Sequence, residues 1–127
     1  MAERAEIEQV LRELYAARVE ARVATLCSLF TEDATFRISG SSDGKPIAIC
    51  ARGTSEIRTW LAMMLKTFRI SRHEVLETLI DGKSAAVHWR ADINSRITGM
   101  LVPTELVDVM EFRDLRICTY SEFFVPC

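Results

Sequence analysis

The sequence predicts an α+β fold: an antiparallel sheet packed on N-terminal helices. Two observations predict it. Apolar residues recur at helical spacing near the N-terminus and again between residues 54 and 68, whereas from about Arg72 they alternate with polar ones. The later segments are joined by the short connections Asp81-Gly82, Thr98-Gly99 and Arg113-Asp114, of the kind that link antiparallel strands. Helices at the front and a meander at the back argue against a doubly wound parallel sheet. A chain of 127 residues suits one domain, because a single hydrophobic core commonly organises about 100 to 150 residues.

Taken in order, Ile7, Val10, Leu11 and Leu14 recur with Glu6, Glu8, Arg12 and Glu13 between them, so residues 5–19 read as an amphipathic helix. Val23, Leu26, Cys27 and Phe30 repeat the pattern. No Gly or Pro separates the two runs, so local signals allow one continuous helix bent near residues 20–22. Residues 34–38 alternate as a strand, and residues 39–46 form a polar turn region. Thr54 or Ser55 can cap a third helix with Ile57, Trp60, Leu61, Met64, Leu65 and Phe68 on its apolar side. Four strands follow, over residues 73–80, 84–97, 104–112 and 116–125.

Composition narrows the function. Nearly half the residues are hydrophobic and 27% are charged, the balance of a folded globular chain. Sixteen basic and eighteen acidic side chains give a net charge of -2 and are scattered, so neither a nucleic-acid footprint nor a membrane-seeking tail is expected. The charged N-terminus carries no apolar stretch long enough for a signal peptide or membrane span, which points to the cytoplasm. Cys27, Cys50, Cys118 and Cys127 lie too far apart for paired zinc ligation and read as free thiols, with Cys127 open to adventitious intermolecular bridging. His88, Asp92, Asp108 and Glu122 show no ligand spacing, so neither metal nor cofactor is expected.

Strand alternation sorts the side chains into faces. Val87, Trp89, Ala91 and Ile93 fall on one face, and Ala86, His88, Arg90 and Asp92 on the other. Asp108 shares its face with Leu106, Met110 and Phe112, and Glu122 with Cys118, Tyr120 and Phe124. An acid in an apolar row must find a partner, keep its proton or line a wet cavity, because a stranded charge is costly. Two such rows point to a polar-floored pocket; the competing reading pairs these acids structurally, for instance with Arg37 or Arg90.

Phe30-Thr31-Glu32-Asp33-Ala34-Thr35, Arg52-Gly53-x-x-x-Ile57, Asp81-Gly82 before Ala85-Ala86-Val87-His88-Trp89-Arg90, and Thr98-Gly99 together resemble the landmarks of NTF2-like, SnoaL-like domains. The resemblance implies the cone-shaped fold of that superfamily, with a strongly curved antiparallel sheet closing with the helices around one pocket, a helix break near residue 20 and dimers packed through the outer sheet face. Residues 106–112 are similar to the ketosteroid isomerase strand whose protonated aspartate donates to an oxyanion, which falls here on Asp108. That enzyme is a worked case of carboxyl tuning. The general-base position falls on Ile38 and the oxyanion tyrosine on Leu14, with Tyr15 one place off. Arg90-x-Asp92 and Glu122 are similar to the limonene epoxide hydrolase triad, which implies Glu122 as the water-activating base, Asp92 as the acid and Arg90 between them. Phe36 and Ile38 stand where that enzyme's tyrosine and asparagine would be.

Asp92, Glu122, Arg90 and Asp108 are therefore the candidate catalytic residues, and His88, Tyr120, Phe124, Met110, Trp60, Phe36 and Tyr15 the candidate ligand contacts. Trp60 and Met64 also read as core, His73 as a surface residue at a strand start, and Cys118 as a buried structural thiol. The apolar set Val87, Trp89, Ile93, Val107 and Val109 reads as the outer sheet face covered by a second copy of the chain. Two functions stand side by side: an acid–base enzyme (hydrolase, isomerase or cyclase) on a small, largely apolar metabolite, and a non-catalytic ligand-binding or dimeric interaction domain of the same fold.

Overall fold

The computed structural model describes residues 2–42 and 44–126. Cys127 and its expected bridging lie outside them. The chain runs α1 (Ala2–Val19), α2 (Val23–Ser28), β1 (Phe30–Ser42), β2 (Lys45–Arg52), α3 (Gly53–Thr67), β3 (Phe68–Asp81), β4 (Ser84–Ser95), β5 (Leu101–Arg113) and β6 (Arg116–Pro126). All six strands join one curved, unclosed sheet in the order β2-β1-β6-β5-β4-β3. The pairs are antiparallel except β1 with β6, which run parallel, so the sheet is mixed where the sequence predicts an antiparallel one. The α+β class holds.

The helices break where the family resemblance implies and local propensity does not show. Ala21 adopts φ 57°, and the Arg22 amide bonds back to the Ala17 carbonyl at 2.9 Å, the pattern of a left-handed helix end. Glycine usually fills that position, so an alanine gives no warning. On α1, Ile7, Leu11, Leu14 and Arg18 form one buried stripe at spacings of three and four, which carries an arginine into the core.

The polar stretch read as a turn is mostly strand. β1 continues through Ser42 and pairs with β2 up to Ser42 opposite Lys45. Gly40 lets this happen: a Cβ there would lie 2.4 Å from the Phe124 ring, so only glycine admits the aromatic side chain. At the start of α3 neither Thr54 nor Ser55 caps; the Glu56 carboxylate takes the Arg52 amide instead, at 3.0 Å.

β3 and β4 slip by one residue between Ser71 and Glu74 and again between Val75 and Glu77. Arg72 at the first bulge has φ 53°. A bulge re-aims side chains, and here it turns His73 inward onto Tyr15 and Trp89.

The two faces of β4 are the reverse of the sequence reading. Cross-strand partners share a face, and Val87 lies opposite Asp108 and Trp89 opposite Leu106, all on the side that the helices cover. Trp89 is 0% and Val87 1% exposed, and Ile93 packs against the same core, so these residues do not form an outer contact face. His88, Arg90 and Asp92 point the other way. Val107 and Val109 do lie on the outer face as expected, together with Phe123 and Val125. Period-2 alternation tells two faces apart without saying which is covered.

Candidate functional site

The buried polar residues converge from three elements behind α1. Asp108 on β5 and Glu122 on β6 are register partners, so their carboxylates project side by side from the inner sheet face. Asp108 is 0% and Glu122 3% exposed. Three donors surround one oxygen of Asp108: the Tyr15 hydroxyl at 2.6 Å, the Tyr120 hydroxyl at 2.7 Å and the Trp89 indole N–H at 2.8 Å, all on Oδ2. Asp108 Oδ1 is buried and has no partner.

Arg18, from the last turn of α1, completes the cluster. Its Nη1 donates to Glu122 Oε2 and, at 2.9 Å, to the Tyr120 hydroxyl, while Nη2 reaches Glu122 Oε1 at 3.4 Å. Asp108 Oδ2 lies 3.8 Å from Nη1, and the guanidinium sits 5.1 Å from the centre of the Trp89 ring, a cation–π contact. Arg18 is the residue that sequence reasoning missed. Its signal was present, a charged residue four positions after Leu14 on the apolar stripe of α1, but an arginine near a helix C-terminus ordinarily reads as solvated.

One cation beside two buried carboxylates favours a single negative charge between them. Burial, and then the Glu122 charge, hold the Asp108 carboxyl well above the usual carboxylate range. Burial is the largest influence on Glu122 and pushes it upward, but the Arg18 charge together with hydrogen bonds from Asp108, Arg18 and Tyr120 holds that carboxyl below its ordinary value. Glu122 is therefore the anion and Asp108 the acid. Oδ2 takes the three donors, and Oδ1 is the oxygen left without a partner. Burial raises the Tyr15 and Tyr120 hydroxyls well above the ordinary tyrosine value, with Asp108 adding to both, so they serve as donors.

An open groove of about 860 Å³ runs between α1 and the inner face of β3 and β4, and it meets this cluster at Tyr15. Leu11, Val19, Val75, Ile80 and Val87 form its apolar walls and His73 joins Tyr15 at its inner side.

Of the candidate catalytic residues, Asp108 and Glu122 come together, and Arg90 and Asp92 do not. Arg90 pairs with Glu74 at 2.7 Å on the outer face, and Asp92 is 3.7 Å from the exposed Arg72. Arg18, and not Arg90, lies beside Glu122, and Asp108, and not Asp92, is its carboxyl neighbour. Among the ligand candidates, Tyr15 and Tyr120 belong to the cluster. Phe36 stacks on Tyr120 at 5.4 Å, and Met110 is fully buried beside it. Phe124 fills the space over Gly40, and Trp60 and Met64 pack against the core. His88 lies on the outer face, 2.7 Å from Glu105. Cys118 is half-buried and free, as are Cys27 and, exposed, Cys50. Among the described residues no group of three or more His, Cys, Asp or Glu could hold a metal ion, and no helix is long and apolar enough to cross a membrane.

Residues 11–120 match the SnoaL-like domain. The chain belongs to that family. Solved structures of the same fold include a Bacillus subtilis protein described as a candidate isomerase, 21% identical, with a TM-score of 0.83 over 98% of this SnoaL-like chain and 90% of the other. An LEH-like epoxide hydrolase of M. tuberculosis matches at 16% identity and a TM-score of 0.74, covering 95% and 84%. The epoxide hydrolase/cyclase-like enzyme SalBIII, of pyran ring formation in salinomycin, matches at 21% and 0.77, covering 98% and 95%. At these identities the likeness establishes the fold and leaves the reaction open. No curated protein matches the sequence significantly.

Proposed function

We propose that this SnoaL-like chain is an acid–base enzyme, working without a cofactor on a small, largely apolar metabolite by hydrolase, isomerase or cyclase chemistry. The observation that supports this most is the asymmetry of the buried pair: Asp108 is held protonated and leaves Oδ1 without a partner, while Glu122 stays charged against Arg18. Acid and base at neutral pH from two similar groups is the arrangement that general acid–base catalysis needs. The substrate enters by the groove at Tyr15, and a shift of that side chain admits one of its oxygens to Asp108 Oδ1. Asp108 then gives its proton to that oxygen, of an epoxide or a carbonyl, while Glu122 takes one from water or from the adjacent carbon. Arg18 keeps the site's charge balanced as the proton changes sides. Structural relatives with epoxide hydrolase and isomerase names are consistent with either outcome.

The test is turnover of limonene oxide and cyclohexene oxide in ¹⁸O-water. Diol carrying ¹⁸O is expected, with Asp108→Asn and Glu122→Gln each slowing its formation by about 100-fold or more. Formation at equal rates in both variants and wild type would sink the catalytic reading.

One observation favours the alternative, a non-catalytic ligand-binding domain: both carboxylates are buried, and the groove stops at Tyr15. Epoxides that bind but never react, with affinity unchanged in both variants, would establish it. In either case a second copy of the chain covers the outer sheet face through Val107, Val109, Phe123 and Val125.

A further inference from the structure

His73 is the residue whose placement the acid–base reading does not use. A one-residue bulge in β3, with Arg72 at φ 53°, takes it off the outer parity and stacks it on Tyr15 at 5.3 Å and near Trp89 at 5.1 Å. Both of those neighbours donate to Asp108. A bulge at this point costs ladder hydrogen bonds and backbone strain, and what it secures is a polar ring at the inner wall of the groove. Its Nε2 is buried and has no hydrogen-bond partner, a state that costs free energy until some partner arrives. Burial, and then the Arg18 charge, lower its pKa, so the ring is neutral at pH 7.

The remaining lining narrows what that partner is. Around the groove stand two cations, Arg4 and Arg12, and two anions, Glu8 and Glu20. Arg4 is tied to Glu8 and to the Ile80 carbonyl, and Glu20 to Arg22; Arg12 bonds only the neutral Gln9 and keeps its charge, but it is solvent-exposed, where a lone cation holds an anion weakly. The walls are aliphatic, and the inner end offers the flat rings of Tyr15 and His73.

We propose that His73 determines specificity in this groove: it selects a neutral, mostly apolar ring compound carrying a hydroxyl or carbonyl oxygen, which packs against Tyr15 and hydrogen-bonds to His73 Nε2. This rests on the reading of the groove as the substrate's entrance, and it names the substrate class. It makes His73 a binding residue and assigns it no proton transfer.

Two probes that differ by one hydroxyl test it, 2-naphthol and naphthalene. With imidazole-¹⁵N-labelled protein, 2-naphthol is expected to move the His73 Nε2 resonance and leave that of His88 in place, since His88 faces the opposite side of the sheet. 2-Naphthol is expected to bind about five- to tenfold more tightly than naphthalene, the increment of one hydrogen bond. His73→Phe should bind the two equally. The wild-type resonance shift stands as the readout if that variant fails to fold. Asp108→Asn should keep the preference, so an inactive Asp108→Asn enzyme bears on the catalytic reading alone. Equal binding of the two probes by wild type, an unmoved His73 resonance, failure of 2-naphthol to bind, or a preference lost in Asp108→Asn would overturn the proposal.

Discussion

Asp108 and Glu122 differ in what Arg18 offers them, and their stability effects should differ accordingly. Asp108 is already neutral, so Asp108→Asn replaces one uncharged group by another of the same shape and should cost within about 1 kcal/mol. Glu122→Gln removes the anion, but Asp108, 3.8 Å from Arg18, is then free to ionise in its place. Only the double variant leaves the buried guanidinium without any anion, and breaking a buried pair that way costs roughly 3–5 kcal/mol. Urea denaturation at pH 7 should therefore show a double variant worse than the sum of the singles. Simple additivity would mean that the two acids do not share one charge.

The pH dependence follows from the same groups. A carboxyl held above its ordinary value binds a proton in the folded chain that the unfolded chain releases. Asp108 thus contributes stability at low pH that is lost as the pH rises from about 4 through its raised value. Glu122, held low, contributes above its ordinary value and loses that as the pH falls through its folded value. His73, also lowered, contributes fully above about 6.5 and loses its share as the pH falls below that. Between pH 5 and 8, Asp108→Asn should therefore gain on wild type as the pH rises, and His73→Gln should gain as it falls. Urea midpoints across that range check both signs.

At the scale of elements, the end of α1 carries a removable strain. Ala21 holds φ 57°, where an L side chain crowds its own carbonyl and glycine does not. Ala21→Gly should raise stability by roughly 0.5–1 kcal/mol in a denaturant titration. The position is exposed, so no packing is lost. This site also shows where the sequence stops being legible. Long periodic elements, α1, α3 and the last four strands, can be read because burial imposes their period on the residue order. The break at Ala21 and the strand through Ser39, Gly40 and Ser41 depend on partners that only the folded chain supplies, the Ala17 carbonyl and the Phe124 ring. The acids of the site stood out as charges in apolar rows, which is why Asp108 and Glu122 were found. Arg18 and His73 were missed because each owes its place to a neighbour, the α1 stripe passing over Glu122 and a bulge that no composition announces.

At the scale of the molecule, the reversal of the β4 faces changes which surface is proposed to meet a second copy. Val107 and Phe123 are register partners on β5 and β6, and Val109 and Val125 lie on the same outer side. Phe123 is 45% exposed, and the polar pairs His88–Glu105 and Arg90–Glu74 border the patch on the β4 and β3 side. An apolar strip beside polar pairs is self-complementary across a two-fold axis, because rotation sets strip on strip and brings no like-charged cluster face to face. Sedimentation at micromolar concentration should show a dimer. Phe123→Asp with Val109→Asp should give a monomer whose fold, read by circular dichroism, is unchanged, since both side chains point away from the core. Trp89→Phe should leave the dimer intact and cost stability instead, because its indole N–H holds Asp108 from the inner face. A wild-type monomer under these conditions, or a dimer lost with Trp89→Phe and kept with the double aspartate, would return the contact to the face the sequence first suggested or remove it altogether.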